Sequence, residues 1–107
     1  MNEASDTFPI HARVDTSEIS LGAVPASKYK RKVFNLVLSE HSGSTNYIDI
    51  LYVSGGVTST MRLHIGAYDL IDIPKEKVAS IECDPNTELR ARTGATSIDV
   101  LAVVQDI

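Results

Sequence analysis

The chain has a single cysteine, Cys83, and no tryptophan. One thiol cannot close an intrachain disulfide, so the fold must be held by its core rather than by covalent staples. No run approaches the ~18 apolar residues that would span a bilayer as a helix. Basic residues are also scarce: 10 Lys and Arg stand against 14 Asp and Glu, for a net charge of -4. Neutralising phosphates takes a surplus of Lys and Arg, so general nucleic-acid binding is not expected. Finally, "MNEASDTFPI" lacks the basic and apolar regions of a secretory leader, and the expectation is a protein made in a cytoplasm and kept there or carried out by an assembly.

What is present suits one globular unit. The 107 residues are 43% hydrophobic and 22% charged, enough apolar material for one core and an ordinary charged surface. The first seven residues are small and polar with no period, which predicts a flexible N-terminal arm over 1–7 and a single domain over 8–107.

From Phe8 onward the dominant signal is alternation. Ile10, Ala12 and Val14 alternate with polar neighbours, as do Ile19, Leu21 and Ala23. "YKRKVFNLVLS" (29–39) predicts the central strand, with Phe34, Leu36 and Leu38 sharing a face. "EHSGSTN" is a turn-rich loop and "YIDILYV" the next strand. Ser54-Gly55-Gly56 supplies the positive φ angles of a tight hairpin into "VTSTMRLHI", where Met61, Leu63 and Ile65 share a face. "AYDLIDIP" is a short strand ended by Pro74, and "KEKVASIEC" a strand or brief turn delivering Ile81 to the core. "TELRART" and "TSIDVLAVVQDI" complete the set through Gly94-Ala95. No window carries a helical i, i+3, i+4, i+7 stripe. The fold class is therefore all-β, an antiparallel β-sandwich or jelly roll of about seven or eight short strands. Its core draws on Phe34, Leu36, Leu38, Ile48, Ile50, Met61, Leu63, Leu89, Ile98 and Val100.

Several stretches invite a chemical reading. Asp84, Asn86 and Glu88 alternate as the first oxygens of a calcium loop do, but Leu89 stands where an EF-hand needs glycine and Ala95 where it needs a bidentate Glu. A strand-to-strand corner, with Asp84 and Asn86 capping backbone amides beside Pro85, fits better. His11, His41, His64 and Cys83 lack the short spacings of a zinc motif. A Ser-His-Asp set can be drawn from so many serines, yet no G-x-S-x-G elbow is present. The basic cluster "KYKRK" (28–32) reads as a solvated strand start whose lysines deter edge pairing, or as a contact for phosphate or an acidic partner. Tyr29, Tyr47, Tyr52 and Tyr68 pack at sheet edges or form a sugar-stacking platform. No catalytic, cofactor-binding or metal-binding residues are assigned, and the chain is expected not to be an enzyme.

The order "EISLGAVPASKYKRKVFNLVLSEHSGSTNYIDILYVSGG", a strand pair, then "CDPNTELRARTGATSIDVLAVV" resembles small β-sandwich virion structural proteins of tailed phages and related viruses. "VPASK" stands for that family's opening segment, Val33 to Glu40 for its first strand, Cys83 to Ala91 for its corner and Ser97 to Val104 for its closing strand. Ser27 and Pro85-Asn86 stand where the family carries Gly and Gly-Asp. The resemblance covers residues 16 to 107. It implies a capsid decoration, cement or head/tail accessory protein located in the virion, made in the host cytoplasm, with no cofactor, no membrane and no specific nucleic acid. Its partners would be the major capsid protein or other virion proteins, and copies of itself in a trimer or larger ring. A free-standing binding module for carbohydrate or protein is the other reading. Candidate partner contacts are Phe8, Pro9 and Ile10, an apolar anchor on the arm, and His41 and Asn46 at the ends of a loop. Met1 to Phe8 would order only against the partner shell.

Overall fold

The structure, a computed structural model, describes residues 7–25, 28–78 and 81–107. Among these, the strands are β1 (Thr7–Val14), β2 (Ile19–Ser20), β3 (Arg31–Glu40), β4 (Asn46–Ser54), β5 (Val57–Ile65), β6 (Leu70–Ile73), β7 (Glu82–Cys83), β8 (Arg90–Thr93) and β9 (Ile98–Asp106). One helical turn, α1 (Lys75–Val78), separates β6 from β7. The all-β expectation holds. The short runs of the sequence appear as strands, and the count exceeds the expected one because β2 and β7 are two-residue pieces.

Two antiparallel sheets form the sandwich. The first runs β1-β9-β3-β6, with β7 also pairing β3, and the second runs β2-β8-β4-β5. The pairing is nested along the chain: β4 with β5, β3 with β6, β2 with β8 and β1 with β9. At its centre lies the predicted hairpin. Ser54 pairs with Val57, and Gly55 and Gly56 take φ of 60° and 77°, the double left-handed turn that matches the twist of a two-residue hairpin. A Cβ at either glycine would meet only open space, so it is the φ angle that favours glycine there.

The core lies between the sheets and includes Leu36, Leu38, Ile48, Ile50, Leu89, Ile98 and Val100, with Met61 and Leu63 packed against it. Val78 enters it from α1, and Ile81 and Cys83 enter it just before and within β7, so a helical turn and a short strand deliver apolar side chains there. One expectation fails. Phe34 is not a core residue, because β3 pairs Val33 with Val104 and then Asn35 with Val103. Phe34 is the extra residue of a β-bulge, and the bulge flips the alternation. Val33 therefore turns inward and is fully buried, while Phe34 stays outside between the ammonium groups of Lys32 and Lys75, 6.0 and 4.9 Å from its ring centre.

The inner face of β3 is thus apolar in the middle and charged at both ends. Arg31, 5% exposed, forms a two-pronged pair with Asp106 at 2.8 and 3.0 Å and donates to the Ala23 carbonyl. Glu40, 2% exposed, closes the other end. One end is thus sealed by an ion pair and the other by a carboxylate held in neutral hydrogen bonds.

Candidate functional site

The corner after β7 is built from its own polar groups. Asp84 Oδ1 and Oδ2 accept the Gly55 and Gly56 amides at 3.1 and 2.9 Å, and its own amide donates to Val53 at 2.7 Å. These hairpin amides hold the Asp84 carboxyl below its usual range. Asn86 adopts φ of 64°, and the Thr87 hydroxyl donates to the Asp84 carbonyl at 2.6 Å. Glu88 accepts from Ser20 and from Arg90. The acidic alternation is therefore a corner that clamps a distant hairpin, with both Asp84 oxygens facing glycine amides.

Among the described residues, three further charged clusters bear on a candidate site. At the end of β3, Glu40 accepts the amides of Ser42 and Gly43 at 2.9 Å each, the Tyr68 amide at 3.3 Å and the Asn46 side-chain amide at 2.9 Å. Burial pushes its carboxyl up, but hydrogen bonds from Ser42, Asn46 and the Ser42 and Tyr68 amides outweigh burial and hold it at about 2. Asn46, expected as a partner contact, is 3% exposed and spans Glu40 and the Ala95 carbonyl. It belongs to the loop framework, and its side chain is not offered to a partner.

On the outer face of the second sheet, Asp49 is 1% exposed despite pointing away from the core. Arg62 grips both its oxygens at 2.8 and 3.0 Å, and Arg92 approaches at 3.4 Å. The Arg62 hydrogen bond holds its carboxyl down, against burial. Arg62 also lies 3.8 Å from the centre of the Tyr47 ring, and a Cβ on Gly94 would fall within 2.3 Å of that ring. Sequence reasoning missed this cluster. Its signal was an acidic residue inside the apolar run "YIDILYV", whose register with Arg62 and Arg92 appears only after pairing.

The outer face of the first sheet carries the third cluster. Asp99 binds Arg13 at 2.6 and 2.9 Å and His41 Nε2 at 2.9 Å, while Ser39 Oγ lies 3.4 Å from the same Nε2. A serine, a histidine and an aspartate thus do meet. Both partners address one ring nitrogen, whereas a nucleophilic triad uses the two nitrogens in series to relay a proton. The set is an ion-pair cluster beside an open cleft of about 330 Å³ lined by His11, Ala12, Arg13, Asp99 and Val100.

Below that cluster the face turns apolar. Pro9 sits across from Val103, and Leu101 sits between His11 and Val37, so these side chains project from one face. Phe8, Pro9 and Ile10 belong to β1, paired with β9 through to Thr7 and Gln105; Met1 to Asp6 of the expected arm lie outside the described residues. Phe8 lies under the Arg31 guanidinium, 5.3 Å from its ring centre, and Ile10 packs against the core. Only Pro9 of the three turns to the outer face.

The remaining candidates separate. Tyr47 and Tyr52 project from opposite faces of β4, with Tyr52 packed against the core and Tyr68 exposed in the turn before β6, so they share no stacking platform. Cys83 is buried, and burial pushes its thiol up to about 11, which disfavours the thiolate a nucleophile or ligand needs. Among the described residues no group of three or more His, Cys, Asp or Glu is arranged to hold a metal. No protein-family model matches the chain, and no curated protein matches its sequence.

Proposed function

We propose that this chain is a non-enzymatic structural protein of a virus particle, a capsid decoration or cement protein or a head or tail accessory. It binds the particle surface through the outer face of its first sheet and associates with copies of itself. The observation that carries this reading is the nested strand order. Leaving aside the two-residue β7, first pairs with last and each inner pair follows, as in a long hairpin rolled into two facing sheets. That is jelly-roll connectivity, an architecture used by viral capsid and lectin domains.

Two further observations support it. Three of the stretches that resemble virion proteins fall on β3, on the clamped corner and on β9, the elements that define the sandwich. The outer face of β1, β9 and β3 presents Pro9, Val103, Leu101 and Val37 in register, flanked by Asn35 and Asp72, and a partly apolar face suits a shell of major capsid protein. Binding by shape asks for no catalytic group, and virion localisation follows from it.

The test is to purify particles of the virus that encodes the chain and count its copies by quantitative mass spectrometry. High, symmetry-related copy number is expected. Leu101→Glu should lower occupancy while leaving the circular dichroism spectrum unchanged. Absence from particles, with retention of the isolated protein on a glycan array, would replace this reading with that of a carbohydrate-binding module of the same architecture.

A further inference from the structure

A sandwich has four sheet edges, and three of them here are short or blunted. β2 has two residues, β6 has four and β1 carries Pro9. The fourth, β5, runs nine residues as "VTSTMRLHI", with no Pro or Lys and no register shift against β4. Long straight edges with unpaired amides and carbonyls are templates for another strand, and proteins ordinarily interrupt them. The one cation of β5, Arg62, is already bound by Asp49.

Among the described residues, the backbone shows which groups are unpaired. The carbonyls of Tyr47 and Val53 accept from Gly94 and Asp84, on the side of β4 away from β5. The even-numbered residues of β4 therefore exchange the bonds with β5, through their partners Val57, Ser59, Met61, Leu63 and Ile65. In an antiparallel strand the intervening residues point the other way. Thr58, Thr60, Arg62 and His64 thus direct their amides and carbonyls to the open edge.

We infer that β5 is a homodimer edge, pairing antiparallel with β5 of a second copy about a twofold axis at Met61. This register sets Thr58 opposite His64 and Thr60 opposite Arg62 of the second copy, so every outward backbone group of both strands finds a partner. On the inner face it brings Met61 and the apolar ends of the strand together, with Ser59 opposite Leu63. Thr and His or Arg meet on the solvent face, while Met61 meets Met61, and Val57, 63% exposed in the single chain, meets Ile65. A register shifted to place Arg62 opposite Arg62 would oppose like charges. Beneath the edge, an open slot of about 360 Å³ lined by Leu63, Ile71, Ile73 and Pro74, with His64, Asp72 and Lys77, separates β5 from β6. The inner side chains of an added strand, including the adaptable Met61, project over it. The contact is isologous, as a closed dimer requires, and does not depend on the viral reading.

The test uses the purified full chain. Sedimentation velocity over a concentration series should show a reversible dimer. Thr60→Lys, which faces Arg62 of the second copy, should weaken it about tenfold, since the twofold repeats the repulsion, whereas Thr60→Glu should hold or tighten it. Both side chains lie on the solvent face, and circular dichroism should confirm that both variants fold. Met61→Cys lies at a non-hydrogen-bonded pair on the axis, where Cα atoms stand ~4.5 Å apart, within disulfide range. Mild oxidation should link it into a dimer. A monomer at every concentration would overturn the inference, as would equal effects of the Lys and Glu substitutions, or a dimer that Met61→Cys fails to cross-link.

Discussion

Glu40 offers the most discriminating test of how this sandwich is closed. Its carboxylate is almost fully buried and accepts from Ser42, Gly43, Tyr68 and Asn46, so it ties the β3–β4 loop, the turn before β6 and the start of β4 to one point. Its folded pKa of about 2 lies below the ordinary 4.5. A depressed acid stabilises the fold while it is ionised. The contribution is complete above the unfolded value of 4.5 and is lost as pH falls toward about 2. At ~1.4 kcal/mol per pH unit this amounts to ~3 kcal/mol at neutral pH. Glu40→Gln keeps the shape but removes the charge and turns an amide donor toward groups that are themselves donors, so it should cost ~2 to 4 kcal/mol at pH 7. Urea unfolding of both proteins between pH 7 and pH 2.5 gives the measurement. The gap between them should shrink through the window from 4.5 downward, while titration of the other carboxylates largely cancels in the difference. A gap that stays constant with pH, or a Gln variant as stable as the parent at pH 7, would refute the reasoning.

Other expectations follow from particular contacts. Because the bulge turns Val33 inward and Phe34 outward, Val33→Ala should lower the denaturation midpoint more than Phe34→Ala, although phenylalanine is the larger residue; the reverse order would remove the bulge from the account. Leu36→Ala, truncating a fully buried side chain, should cost ~2 to 5 kcal/mol in chemical denaturation. Asp84→Ala should speed amide exchange selectively at Gly55 and Gly56, as read by hydrogen-exchange NMR, with little change in the sheet interior. Cys83 should resist a thiol reagent at pH 8 in the native state and react once urea unfolds the protein.

Much of the architecture was legible because strand alternation and turn chemistry are local. Side chains two residues apart share a face wherever a strand forms, and Gly55-Gly56 needs only its own φ angles to reverse the chain. Hence the class of fold, the hairpin, the corner at Asp84 and most of the core follow from the sequence. Phe34 escaped because a bulge depends on the register with β9, and period two carries no warning that a residue will be skipped. Asn46 looked like an exposed loop residue because its type and neighbours are polar. Its burial comes from Glu40 and Ala95, and the latter is 49 positions away.

Pairing over long separations was the property that tertiary structure alone decided. Asp49 with Arg62 and Arg92, Arg31 with Asp106, and Ser39, His41 and Asp99 around one nitrogen all require strands to be set side by side. A sequence records which residues are charged, but an ion pair depends on a distance of a few ångströms between segments whose order in the sheet is not written locally. The same holds for the open edge of β5. Its nine residues read as an ordinary strand, and only the absence, among the described residues, of a neighbour beyond it in the second sheet leaves Thr58, Thr60, Arg62 and His64 with backbone groups turned outward.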